Sequence, residues 1–210
     1  MQTNAYQTAK LLKEYTLLAA TYDRRWSAYI DASLSMTLKA LAGLPTDRIL
    51  DIACGTGLWL EMLTKRHSDA ELFGIDSVPA MLDVARRRMG QRATLLEADA
   101  AELPFSDGGF QLVTTTNALH YFADVHSALL EIRRVLVPSG NLIITDWCRD
   151  YFWMKLLNRV LPLTSHAHGH TFSSRELERS LVAAGFDIVS STTKKIDGFW
   201  ALMTVHARPT

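Results

Sequence analysis

The chain has 210 residues, 48% of them hydrophobic and 21% charged, with 22 Lys plus Arg set against 22 Asp plus Glu. That length suits one α/β domain with a substantial core, and the cancelled charge excludes a global field that would draw the protein onto nucleic acid or an acidic membrane. Its two cysteines, Cys54 and Cys148, follow no metal or disulfide spacing and fit a reducing cytoplasm.

Residues 1–10 carry neither the basic start nor the apolar run of a secretory signal, and no stretch approaches about 18 consecutive apolar residues. The expectation is a cytoplasmic protein without stable membrane insertion. From Lys10 to Leu44 apolar residues recur at helical spacing with no proline until Pro45, which predicts two N-terminal helices forming a cap over the strand ends.

From Ile49 onward, short β-rich runs alternate with longer helical ones. Predicted strands are Ile49 to Ala53, Leu72 to Ile75, Thr94 to Glu97, Phe110 to Thr115 and Leu142 to Thr145; predicted helices are Leu58 to Lys65, Pro79 to Met89 and Val125 to Leu136. Such alternation implies crossover units and a doubly wound, mostly parallel sheet covered on both faces. Ser77 reads as the cap of the helix opening at Pro79, and Val137-Pro-Ser-Gly140 as the stop of the later one.

After Trp147 the chain is rich in aromatics and histidine. Tyr151 to Leu161 puts Trp153, Leu156, Leu157, Val160 and Leu161 on one helical face. Core packing explains such a stripe, and so does a lid over an apolar acceptor; Lys155 and Arg159 are too few for a membrane helix. Ser173-Ser-Arg-Glu-Leu177 opens a further helix that ends at Gly185, and Ile188 to Ser191 with Phe199 to Ala207 reads as a hairpin adding an antiparallel edge. One domain is expected, divided into a cap (1–44), a cofactor-binding core (45–147), a substrate lid (148–172) and a C-terminal helix and hairpin (173–210).

The run Ile49-Leu-Asp-Ile-Ala-Cys-Gly-Thr-Gly57 is a buried strand that delivers its carboxyl end to a small-residue turn and a helix start, where a ligand approaches the backbone. Asp76 ends the next strand roughly 20 residues on, where a carboxylate accepts from ribose hydroxyls. A dinucleotide turn needs a third glycine where Gly55-Thr-Gly57-Leu-Trp-Leu60 has Leu60, which counts against an NAD(P)-dependent oxidoreductase.

Asp51-Ile-Ala-Cys-Gly55-Thr-Gly57, Gly74-Ile-Asp76, Ala98-Asp99-Ala100, Leu103-Pro-Phe105 and Phe110-Gln-Leu-Val113 follow in an order that resembles class I S-adenosylmethionine-dependent methyltransferases. The resemblance is to the ubiquinone- and menaquinone-methylating (type 11) group and covers roughly Asp47 to Trp147. It implies a Rossmann-like seven-stranded sheet, six strands parallel and one antiparallel near the C-terminus, with S-adenosylmethionine as cofactor and S-adenosylhomocysteine as product. It also implies that Gly55 and Gly57 flank the methionine portion, beside Ala53 and Cys54, and that Asp76, followed by Ser77, binds the ribose. Asp99 would face the adenine amino group, Ala100 would offer its amide, and Met81 would pack on the ring, which is also an ordinary place on a buried helix face. Asn117 and Ala118 resemble the segment whose backbone meets the methionine ammonium. Asp51 either orients the turn and reaches that ammonium through water or caps the following helix. Ala53 stands where the family often has glycine. Tyr15 and Tyr22 resemble the helical cap, with Tyr22 toward the methionine carboxylate or the methyl group; a plain packing boundary explains them too.

Methyl transfer from a sulfonium needs no covalent nucleophile from the protein; alignment alone is worth about 7 to 11 kcal/mol. A base is required for acidic acceptors. His120, after the fourth strand, is the candidate base beside Tyr121, or a histidine that only packs in its loop. Trp147, Trp153 and Tyr121 with His166, His168 and His170 are the candidate acceptor side; the alternating histidines could also bind a metal, but no carboxylate or cysteine accompanies them, and no metal is expected. The sequence thus points to methylation of a small aromatic or lipophilic acceptor by in-line displacement, with no nucleic acid partner. The alternatives are an NAD(P) oxidoreductase, a macromolecule-modifying methyltransferase and a catalytically silent binder of the cofactor.

Overall fold

A computed structural model of the chain describes residues 12–156, 171–196 and 200–210. After a helical segment at 12–18 come α1 (Tyr22–Arg25), α2 (Ser27–Leu41), β1 (Arg48–Ile52), α3 (Leu58–Thr64), β2 (Glu71–Asp76), α4 (Pro79–Met89) and β3 (Thr94–Glu97). Then follow β4 (Phe110–Thr116), a 3-10 turn (Leu119–Tyr121), α5 (Val125–Val135), β5 (Leu136–Trp147), α6 (Ser174–Ala183), β6 (Phe186–Lys195) and β7 (Ala201–Pro209). The sheet order is β3-β2-β1-β4-β5-β7-β6. β1 to β5 pair in parallel, and β7 is antiparallel to both β5 and β6, so β6 runs with the first five and β7 alone is reversed.

Side-chain alternation along the strands builds two cores. Ile49, Leu112 and Ile143 face one side with Ile30 and Leu34 of α2, Trp59 and Leu60 of α3, and Leu82 of α4. Their neighbours Leu50, Val113 and Ile144 face the other, against Leu129 and Ile132 of α5 and Leu177 and Leu181 of α6. A period of two cannot satisfy one face only, so a strand apolar at every position is covered by helices on both sides.

The C-terminal hairpin forms: β7, buried from Ala201 to Ala207, lies inside, and β6, exposed from Val189 to Lys194, takes the edge, where serines, threonines and lysines discourage further pairing. Three expectations are corrected. Ser77 does not cap α4; its N-cap is Val78, and the Val78 amide donates to Asp76 Oδ1 at 2.8 Å. Val137-Pro-Ser-Gly140 follows the end of α5 at Val135, but the strand does not wait for Asn141: β5 begins at Leu136 and passes through this run with a register shift opposite Phe110 to Leu112. The N-terminal region is not two helices but three described helical pieces, broken after residue 18 and at Trp26.

Leu157, Val160 and Leu161 of the apolar stripe, the His166/His168/His170 group and Phe199 lie outside the described residues. Among the described residues no helix is long and apolar enough to cross a membrane, and no group of three or more His, Cys, Asp or Glu is placed to hold a metal ion.

Candidate active site

A cleft of about 190 Å³ opens over the carboxyl ends of β1, β2 and β4, the side of an open α/β sheet where ligands bind. Its floor is the turn after β1. Ala53, Gly55 and Gly57 all have positive φ, at +57°, +54° and +76°, and the turn is docked on β2 by Cys54 N donating to Ile75 O and Gly55 N to Asp76 Oδ2, both at 2.8 Å. Asp76 thereby anchors the turn with one oxygen and starts α4 with the other. A carboxylate offers about four lone-pair sites, so these two amides leave acceptor capacity for a ligand. Burial raises the Asp76 pKa, and the amides of Val78, Gly55 and Ser77 oppose the rise.

Asp51 is 3% exposed and accepts from Thr114 Oγ1 at 2.8 Å; Thr114 Oγ1 in turn accepts from Trp59 Nε1 at 3.1 Å. It does not cap α3, whose N-cap is Gly57 without a side-chain bond. Burial pushes its carboxyl up to about 7, with the Thr114 bond lowering it and the nearby Asp76 charge adding to the rise.

The expected cofactor residues Tyr15, Tyr22, Asp51, Ala53, Cys54 and Gly55 line this cleft, as do Asp76, Ser77, Met81, Asp99, Ala100, Asn117 and Ala118. Gly57 does not. A Cβ there would stand 3.1 Å from Ala85 Cβ and 3.3 Å from its Cα, so this glycine lets α3 start against α4. At Gly55 a Cβ would meet nothing within 4 Å; the space is a cradle open to a ligand approaching the backbone. Asn117, at φ +59°, is held by Tyr29 Oη donating to its Oδ1 at 2.6 Å and by its Nδ2 donating to Ser33 Oγ at 2.7 Å.

Asp23, Asp51, Asp76, Asp99 and Asp124 line the cleft, and no Lys, Arg or His is among its described lining residues. Behind the lining, Arg88 neutralises Asp23 at 2.5 Å and donates to Thr56 O at 2.7 Å, tying the cap to the glycine turn. The cleft therefore carries a net negative potential, suited to a cationic ligand and hostile to a pyrophosphate. Tyr121 also lines it, and its ring lies 5.5 Å from that of Tyr15, which lies 5.8 Å from Tyr22.

His120 lies outside the lining and is 2% exposed. Its Nδ1 is 2.6 Å from Asp146 Oδ1, and its amide donates to Asp146 Oδ2 at 3.1 Å. The imidazole stacks on Trp147 at 4.4 Å and lies 4.0 Å from Tyr121. Trp147 Nε1 donates to Tyr29 Oη, and its ring packs 4.8 Å from Trp200, so it belongs to an aromatic cluster beside the cleft. Trp153, 47% exposed, is not brought to the site. Sequence reasoning missed Asp23, Thr56, Arg88, Tyr29 and Asp146. An acid near a strand's carboxyl end was the signal that picked out Asp76, and Asp146, on β5, carries the same signal.

Residues 49–140 match a family described as a methyltransferase domain. Over 135 residues the chain is 41% identical to a demethylmenaquinone methyltransferase of Thermus thermophilus, covering 62% of this chain and 58% of that one. It is 39% identical over 142 residues to a malonyl-[acyl-carrier protein] O-methyltransferase of Halorhodospira halophila, covering 66% and 48%. The chain thus spans about half the length of the curated relatives it matches. A SAM-dependent methyltransferase from Thermotoga maritima superposes with a TM-score of 0.77 at 21% identity, over 95% of this chain and all of the other; that likeness is one of fold. The acidic cleft, the open cradle at Gly55 and the remaining acceptor capacity of Asp76 fit a cationic nucleoside. The sheet order and the sequence kinship agree with that fit: over its central part the chain is similar to class I S-adenosylmethionine-dependent methyltransferases, menaquinone enzymes among them.

Proposed function

We propose that the protein methylates a small, planar aromatic or lipophilic acceptor with S-adenosylmethionine. The observation that carries this reading is a cleft with five carboxylates and, among its described lining residues, no cationic side chain, next to an aromatic cluster of Tyr29, His120, Tyr121, Trp147 and Trp200. The same charge pattern disfavours NAD(P), and nothing in the overall charge favours a nucleic acid acceptor. The quinone-methylating names of the relatives agree with an aromatic acceptor.

When bound, S-adenosylmethionine supplies an electrophilic methyl carbon on a positive sulfur. Asp76 would hold the ribose hydroxyls, Asp99 and Ala100 the adenine edge with Met81 and Ser77 beside it, and the main chain at Gly55, Asn117 and Ala118 the amino-acid end, with Asp51 supplying charge. Tyr22 and Tyr15 would close that end and exclude water. Trp147 and Tyr121 would receive the acceptor. We assign the proton of an acidic acceptor to His120: pairing to a carboxylate oxygen fixes the imidazole proton on Nδ1 and makes Nε2 the basic nitrogen, with Asp146 the positioning residue.

Methyl-labelled cofactor incubated with fractionated small molecules, protein and nucleic acid tests the reading. Label in a small aromatic or lipid-extractable product is expected, and label only in protein or nucleic acid overturns it. Asp146→Asn should lower kcat while leaving KM nearly unchanged; an unaltered kcat removes His120 as the base.

A further inference from the structure

Three tyrosine rings from three separate elements meet at the cap side of the cleft. Tyr15 comes from the helical segment at 12–18, Tyr22 opens α1 and Tyr121 ends the 3-10 turn. Tyr15 lies 5.8 Å from Tyr22 at a tilt of 46° and 5.5 Å from Tyr121, edge to face at 77°. All three line the cleft that Asp51 and Asp76 line, and among the described lining residues there is no cationic side chain. Aromatic faces carry negative quadrupole potential and attract a cation within about 6 Å of the ring centre.

The methyltransferase reading, on which this inference rests, gives the cleft two ligands in every cycle. They share the adenine, the ribose and the amino-acid groups, so Asp76, Asp99 and the main chain at Asn117 meet the same atoms in both. They differ in a methyl group and in the charge on sulfur, which is positive before transfer and neutral after it. A feature that separates cofactor from product must therefore respond to that charge.

We propose that Tyr15, Tyr22 and Tyr121 form an aromatic cage that holds the sulfonium cofactor in preference to its thioether product. The cage acts through ring faces rather than phenolates. Burial first, then the neighbouring tyrosines, raise the pKa of Tyr15; burial, Tyr121 and the Asp23, Asp76 and Asp146 carboxylates raise that of Tyr22; and burial takes Tyr121 up to about 12. The rings stay neutral across the working pH range, and the nearby carboxylates reinforce the preference without distinguishing one ring from another.

Calorimetric titration with S-adenosylmethionine and with S-adenosylhomocysteine, on the parent protein and on Tyr22→Phe, Tyr22→Leu and Tyr121→Leu, tests this. The readout is the ratio of the two dissociation constants within each protein, and retained binding of the thioether reports that a variant is folded. The preference for the sulfonium should fall about 5-fold in each leucine variant and stay within about 2-fold of the parent in the phenylalanine variant. An unchanged ratio in both leucine variants overturns the cage. So does a phenylalanine variant that loses as much as leucine, because the hydroxyl would then be responsible. A parent protein that binds neither ligand overturns the methyltransferase reading itself.

Discussion

Asp51→Asn should separate what this carboxylate does to stability from what it does to charge in the cleft. Burial holds its folded pKa at about 7, against about 3.9 in an unfolded chain. Between those values the folded protein keeps a proton that the unfolded chain has released. The contribution of this group to stability is therefore fully present below about pH 4 and lost as pH rises through about 7. At 1.36 kcal/mol per unit, the loss between pH 5 and pH 8 is roughly 2 to 3 kcal/mol. Asparagine keeps an oxygen to accept from Thr114 Oγ1, which lies 2.8 Å from Asp51 Oδ1, and it cannot ionise. Urea unfolding without ligand should find the variant close to the parent below about pH 4, with its advantage over the parent growing by roughly 2 to 3 kcal/mol between pH 5 and pH 8. Affinity for S-adenosylmethionine should move the other way, falling several-fold at pH 8 and little at pH 5, where the parent carboxyl is already protonated. Parent and variant with the same pH dependence of stability would refute the burial argument.

Ala53→Gly removes a side chain from a left-handed backbone at φ +57° and should raise stability by up to about 1 kcal/mol, after the entropy of glycine is counted, as a higher thermal midpoint; a lower midpoint would contradict it. Gly57→Ala has to fit a Cβ 3.1 Å from Ala85 at φ +76° and should cost about 1 to 3 kcal/mol in chemical unfolding, more than the same change at Gly55, where nothing lies within 4 Å. Arg88→Ala deletes the donors to Asp23 and Thr56. It should speed amide exchange in α1 and the helical segment before it, and weaken cofactor binding several-fold, with exchange in β4 and β5 unaltered.

The central elements were legible because their patterns are local. Pro79–Met89 and Thr94–Glu97 match the sequence reading residue for residue, since a proline at the first turn and a β-rich run each signal themselves. The glycine turn and Asp76 were legible for the same reason: chain order alone sets a strand end beside a turn. What escaped depends on contacts far apart in sequence. Nothing near Ser77 says that Asp76 takes the amide a cap would take, and nothing near Leu202 says that β7 slides between β5 and β6. That order is decided by burial, because an apolar strand gains more inside the sheet than a polar one. His120 was visible as a histidine after β4, but its partner is 26 residues away on β5. The Arg88 link to Asp23 joins positions 65 residues apart and exists only once α4 packs beside the cap.

Calorimetric titration of the parent protein and Asp76→Ala with S-adenosylmethionine and with NADH measures the central claim most directly. The parent should bind the sulfonium nucleoside and ignore the dinucleotide. The variant, deprived of charge-assisted hydrogen bonds worth about 1.5 to 3 kcal/mol, should bind it roughly 10- to 150-fold more weakly. Binding of NADH instead, or indifference to the loss of Asp76, would contradict the assignment of this cleft.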